Sequence, residues 1–176
     1  MPKQNDRKFQ TIQLVRIALL GAILYAVQIG LSFIPNLELV SFLICIYALL
    51  FGKQTFWMIL VFNLFEGIQW GFGVWWISYL YVWPLLLLIV LLLKRMIKEE
   101  FILWAIILGI WGLIFGSLFA IAYIPVDPHY ALTYWISGLP WDVWHGGCNF
   151  VVMLIAGKPV YHLLLKALRM DERRVN

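Results

Sequence analysis

Six stretches of the chain are too apolar to be anything but buried on every side, and they leave almost no sequence for a water-soluble fold. They lie at 13–34, 39–51, 56–72, 77–93, 101–124 and 140–168, with short punctuated segments between them. A helix needs about 20 apolar residues to cross the hydrocarbon core of a bilayer. Hydrophobic residues make up 64% of the chain and charged residues only 12%, with a mean hydropathy of +0.89; a soluble domain carries about 25% charged residues. The expectation is an all-α integral membrane domain of six transmembrane helices occupying residues 1–176 as a single unit. The second stretch is short and ends at Gly52-Lys53-Gln54, and its length alone also allows a re-entrant segment.

The basic residues argue for a full crossing there. Threaded six times, the chain puts all thirteen Lys and Arg on one face: Lys3, Arg7, Lys8 and Arg16 at the start, Lys53 in a turn, Lys94, Arg95 and Lys98 in the middle loop, and Lys158, Lys166, Arg169, Arg173 and Arg174 in the tail. Positive residues accumulate on the cytoplasmic side, so both termini are expected in the cytoplasm and the protein in a cell membrane, read as the plasma membrane of a bacterium. The net charge of +4 then reflects topology, and no solvated basic face exists for nucleic acid. The first stretch reads as a span and not as a cleaved signal peptide: it is too long, and Ile34-Pro35-Asn36 is no small-residue cleavage site. Cys45 and Cys148 lie inside apolar spans without metal-ligand spacing and read as packing residues.

Three features stand out within the spans. Ala18, Ala22 and Ala26, with Gly21 beside them, form a smooth stripe at i, i+4, i+8. Small residues let membrane helices approach closely, either within the bundle or against another subunit. Polar residues at membrane depth make two more stripes, Asn63, Glu66 and Trp70 with Gln69 adjacent, and Asp142, His145 and Asn149. Ionisable groups are costly in hydrocarbon and face the bundle interior. Each has a structural alternative: Asp142, following Pro140, suits the first turn of a helix, with His145 as its i+3 partner, and a protonated Glu66 suits a bond to a backbone carbonyl. Finally, the ten Trp residues are unevenly placed. Trp70, Trp75, Trp76, Tyr79, Tyr81 and Trp83 surround one outer loop, and Tyr123, Tyr130, Tyr134, Trp135, Trp141 and Trp144 another. Interfacial belts are the default explanation, but a belt populates both faces. The crowding on one face favours an aromatic cavity open to the outside.

Together these features resemble the S component, the substrate-binding membrane subunit, of energy-coupling factor (ECF) vitamin transporters. The likeness covers nearly the whole chain: its size, six spans, both ends inside, a short second helix after P-N-L-E-L-V, the Ala18/Ala22/Ala26 stripe, and the ending G-L-P-W-D-V-W-H-G-G-C-N-F followed by G-K-P-V-Y. The resemblance implies a non-enzymatic subunit that captures a vitamin from outside. It docks through the alanine stripe on a transmembrane coupling (T) subunit with two cytoplasmic ATPases, and topples to release its cargo. The chain has no G-x-x-x-x-G-K-[ST] loop, so ATP would be used by the partners and no cofactor is expected here. By the same resemblance, ligand contacts fall in regions 36–38, 69–81 and 128–149. Combined with the polar stripes, the candidates are Asn36, Glu38, Glu66, Trp70, Trp75, Trp76, Tyr79, Tyr134, Trp135, Trp141, Asp142, Trp144, His145 and Asn149.

The outer half carries Glu38, Glu66, Asp127 and Asp142 but no Lys or Arg. An anionic ligand would have to rely on helix N-termini or neutral donors. A neutral or cationic ligand with apolar surface suits the aromatics better: a thiamin-related cation, or a large neutral corrinoid such as cobalamin, toward which His145 or His129 would be a cobalt contact. Two other classes stay open. One is a membrane-embedded enzyme using Glu66, Asp142 and His145, although no H-E-x-x-H or G-x-S-x-G motif is present. The other is a structural assembly subunit.

Overall fold

The computed structural model describes residues 4–34 and 37–175, with side chains described for 10–34 and 37–168. The described chain is helical throughout. Helix α1 is Gln4–Leu31, α2 Val40–Phe51, α3 Thr55–Trp70, α4 Val74–Ile97, α5 Phe101–Ile121 and α6 Pro128–Val175, with a short 3-10 turn, Gly52–Gln54, between α2 and α3. Five helical stretches are long and apolar enough to cross a membrane, and one of them, Val40–Trp70, contains both α2 and α3. The outward faces are apolar, with Leu92, Ile155 and Met96 at 67–79% exposure. Such a surface suits lipid and not water. The chain is a multi-pass membrane protein.

Within the 40–70 stretch the chain doubles back. Gly52 takes φ +60°, a backbone conformation that costs a glycine nothing, and α2 ends there. The Ala48 carbonyl near the end of α2 accepts a hydrogen bond from Lys94 Nζ (3.3 Å), in the last turn of α4. Helix α3 then returns, so that Asn63 Nδ2 donates to the Tyr79 carbonyl (3.1 Å) near the start of α4. The α2–α3 pair is thus a helical hairpin. At 12 residues α2 is only about 18 Å long, well short of the ~30 Å hydrocarbon core. Arg16 sits over the Phe51 ring (5.9 Å), so the start of α1, the end of α2 and the end of α4 share one end of the bundle with Lys53 and Lys94.

Glycines allow two close backbone approaches between helices. A Cβ on Gly21 of α1 would lie 2.6 Å from Val61 Cβ of α3, and one on Gly112 of α5 would lie 2.6 Å from the Cα of Gly146 on α6. Only hydrogen fits in either space, which lets backbones meet as small residues do in membranes. Gly21 therefore does the packing of α1 within the bundle. Ala18 and Ala26 point outward and Ala22 is half-buried.

The last helix corrects the sequence reading. It was expected to begin near Pro140; it begins at Pro128 and runs unbroken through Pro140 and Pro159. The reason is a strong start. Asp127 Oδ1 accepts from the backbone N–H groups of His129 (2.9 Å) and Tyr130 (3.2 Å), an N-cap, and Pro128 stands at a first-turn position where its missing N–H is harmless. Asp142 is consequently mid-helix and cannot be a helix-start residue. Replacing Gly146 by Val is expected to force α5 and α6 apart at a cost of about 1–3 kcal/mol, read as a lowered melting temperature in detergent, whereas the same change at Gly138, where a Cβ meets nothing within 4 Å, should be much milder.

Candidate functional site

The bundle opens into a cavity of about 610 Å³. Every element that builds it does so with residues far from its basic end. Helix α1 contributes Gln28 and Leu31; the following loop contributes Ser32, Ile34, Leu37 and Glu38; α4 contributes Tyr79 and Trp83. Helix α5 supplies Phe115, Gly116 and Phe119, and α6 supplies Tyr134, Ser137, Gly138, Trp141, Asp142 and His145. No Lys or Arg is among them.

Its polar residues form a small network. His145 Nε2 lies 3.0 Å from Glu38 Oε1, with both side chains buried. Glu38 Oε2 accepts the backbone N–H of Ser41 (2.9 Å), which ties the loop to the first turn of α2. One contact therefore joins the α1–α2 loop to α6. Burial alone would push the Glu38 pKa up. The hydrogen bond and charge of His145, with the Ser41 N–H, outweigh it and hold the carboxyl below its ordinary 4.5. Next to this pair, Asp142 Oδ1 accepts the backbone N–H of Gly116 (2.9 Å). A Cβ at Gly116 would stand 2.7 Å from that oxygen, so only glycine lets the carboxylate lie against α5.

Aromatic rings make up most of the remaining wall. Tyr79 packs edge-on to Trp83 (5.4 Å) and Phe119 (5.5 Å). Phe115 stacks on Phe119 (4.7 Å) and meets the His145 ring edge-on (4.7 Å). Edge and offset contacts of this kind add about 0.5–1.5 kcal/mol per pair beyond area burial, so the wall is a rigid surface.

Of the residues singled out in the sequence, Glu38, Tyr79, Tyr134, Trp141, Asp142 and His145 come together in this cavity. Others do not reach it. Trp70, the last residue of α3, is 58% exposed, away from the buried Asn63 and Glu66 of its own stripe. Trp75 backs the wall, edge-on to Tyr79 (5.4 Å), and Trp76 Nε1 donates to the Asn63 carbonyl (2.7 Å), pinning α3 to α4. Trp135 donates to Ser117 Oγ (2.8 Å) on the flank of α5 and α6. Trp144 faces a lateral apolar groove with Leu37, Pro140 and Val151. Glu66 and Asn149 are buried outside the cavity, and Glu66 Oε1 and both amide atoms of Asn149 have no partner among the described residues. Glu66 is not among the residues that line the cavity with Asp142 and His145. Asn36 lies outside the described residues.

Sequence reading missed Gln28, Ser32, Phe115, Phe119 and Ser137, which line the cavity, and did not select Trp83. Phe115 and Phe119, with Gly112 and Gly116, follow the same i, i+4 spacing as the alanine stripe of the first span, and that was the available signal. Among the described residues no group of three or more His, Cys, Asp or Glu is placed to hold a metal. Comparison with protein families, curated proteins and solved structures returns no significant match.

The Glu38–His145 contact is testable by a double-mutant cycle. Glu38→Gln and His145→Gln should each lower stability, and the double variant should lose less than their sum, by a coupling of about 1–3 kcal/mol, in unfolding experiments in detergent. The sign with pH follows from the lowered Glu38 pKa. Its stabilisation is present above 4.5 and disappears as pH falls through the lowered value. Glu38→Gln should therefore flatten the acid limb of the melting-temperature profile.

Proposed function

We propose that the chain is the substrate-binding S component of an ECF-type importer: a membrane subunit that captures a neutral or cationic vitamin-like solute and delivers it by docking on a T subunit with two ATPases. The observation that carries this reading is the aromatic cavity at the end of the bundle remote from Arg16, Lys53 and Lys94. With the basic end in the cytoplasm and α2 and α3 counted as separate crossings, the chain passes six times, both termini are inside, and the cavity opens outward from the plasma membrane of a bacterium. Its volume falls within the ~300–1,000 Å³ of small-molecule sites. A corrinoid is larger than the chamber and would stand out of its mouth, so a smaller, ring-bearing solute fits better.

The outward face of α1 supports the docking half of the proposal. Gly21 is used inside the bundle, and the alanines beside it, Ala18 and Ala26, are left facing out among Leu14, Val15 and Leu19. A smooth, exposed stripe suits a second membrane helix.

Small molecules extracted from the detergent-purified protein and identified by mass spectrometry provide the test. A stoichiometric vitamin-sized compound, lost on Trp141→Ala, is the expected result; absence of any compound, with no binding of added vitamins, overturns the reading. The docking half is separable. Ala18→Trp and Ala26→Trp should abolish cellular uptake while the purified variants keep their ligand, and uptake that survives both changes removes the docking assignment.

A further inference from the structure

Of the two carboxylates on the cavity wall, only Asp142 has an oxygen to spare. Glu38 is engaged at both of its oxygens, by His145 and by the Ser41 amide. Asp142 receives one N–H, on Oδ1. Its Oδ2 has no partner among the described residues, although the residue is only 6% exposed. A buried carboxylate oxygen without a donor is costly. Among the described residues no lysine or arginine lines the cavity to supply one.

A second, independent observation is the ring set of the same cavity: Trp83 lines it together with Tyr79, Phe115, Phe119, Tyr134 and Trp141. Ring faces attract cations, Trp most strongly. A neutral ligand could stack on these rings but would leave the carboxylate without a counter-charge. A quaternary ammonium would supply the charge and leave Oδ2 without a donor.

We propose that the cavity takes an organic cation carrying N–H donors, such as an ammonium, an amidinium or a protonated amino-heteroaromatic ring, with a donor on Asp142 Oδ2 and its apolar body among the rings. This rests on the binding-subunit reading and narrows its neutral-or-cationic solute to one class. Oδ2 is covered by protein and lies in the notch left by the missing Gly116 Cβ, which would stand 2.5 Å away. Binding therefore requires the carboxyl to turn about its Cβ–Cγ bond toward the cavity, which takes Oδ1 off the Gly116 N–H, so the ligand's donor replaces that bond.

The experiment is calorimetric titration of the full chain in lipid nanodiscs with six probes: thiamin and pyridoxamine (cationic groups and N–H donors), tetramethylammonium (a cation with no hydrogen-bond donor), riboflavin and cobalamin (neutral, small and large) and pantothenate (an anion). Thiamin or pyridoxamine should bind at least tenfold tighter than the other four. Asp142→Asn should weaken that binding by about tenfold or more, in line with a lost charge-assisted hydrogen bond. Tetramethylammonium binding as tightly as the donors, or riboflavin, cobalamin or pantothenate binding tighter, overturns the proposal and leaves the binding-subunit reading standing. Binding to none of the six, with no compound co-purifying, sinks both. Wild-type affinity in Asp142→Asn removes Asp142 from recognition. The wild-type ranking decides the ligand class even where that variant does not fold.

Discussion

Gly112 and Gly146 meet with no side chain between them, and the cavity wall depends on that contact. Backbone contact at this point fixes the rotation and spacing of α5 against α6. One turn further along, the same approach lays Asp142 against Gly116 and turns Phe115 onto the His145 ring. Without it the hydrogen bond from the Gly116 amide would be out of reach, and His145 would not be held facing Glu38. The polar groups of the cavity are thus placed by an apolar contact that carries no polarity of its own. This is economical in a membrane, where van der Waals fit and not water exclusion brings helices together.

The Glu38–His145 pair plays a different part. Helices α5 and α6 are held together along their length, whereas the α1–α2 loop adds to its apolar contacts a polar one on α6, the Glu38–His145 pair, backed by the Ser41 amide. Breaking a buried pair leaves an uncompensated group behind. The loop that forms one side of the cavity is therefore fastened by a group that a ligand inside the cavity would also meet.

Helix number and the positions of most helix ends could be read in the sequence, because apolar length is a strong signal in lipid. The burial of Asn63, Glu66, Asp142, His145 and Asn149 followed from the cost of polar groups in hydrocarbon. What could not be read was how the two stripes relate. Asp142 and His145 face the cavity while Glu66 does not, because that depends on which helices neighbour each other. The beginning of α6 was misread because Pro140 was given the weight of a helix start. The Asp127–Pro128 pair is a better start, and a single proline is tolerated inside a membrane helix when neighbours re-satisfy the freed carbonyl. The aromatic residues divided for a similar reason. Trp70 at the end of α3 and Trp144 within α6 face outward, while Tyr79 and Trp83 line the cavity. Composition cannot separate the two groups, since both are rich in tryptophan.

Helix α2 is the shortest α-helix among the described residues. At about 18 Å, α2 falls short of a ~30 Å hydrocarbon core by roughly the length of two helical turns. It is anchored at the basic end, where the Ala48 carbonyl meets Lys94 and Phe51 meets Arg16, so the whole shortfall appears at the opposite end. The cavity is bounded by α1, α4, α5 and α6 and by the loop that leads into α2. Non-helical backbone in a membrane protein persists where it is buried in protein or lines a polar cavity, and Glu38, buried on the cavity wall with its carboxylate on the Ser41 amide, gives this loop both.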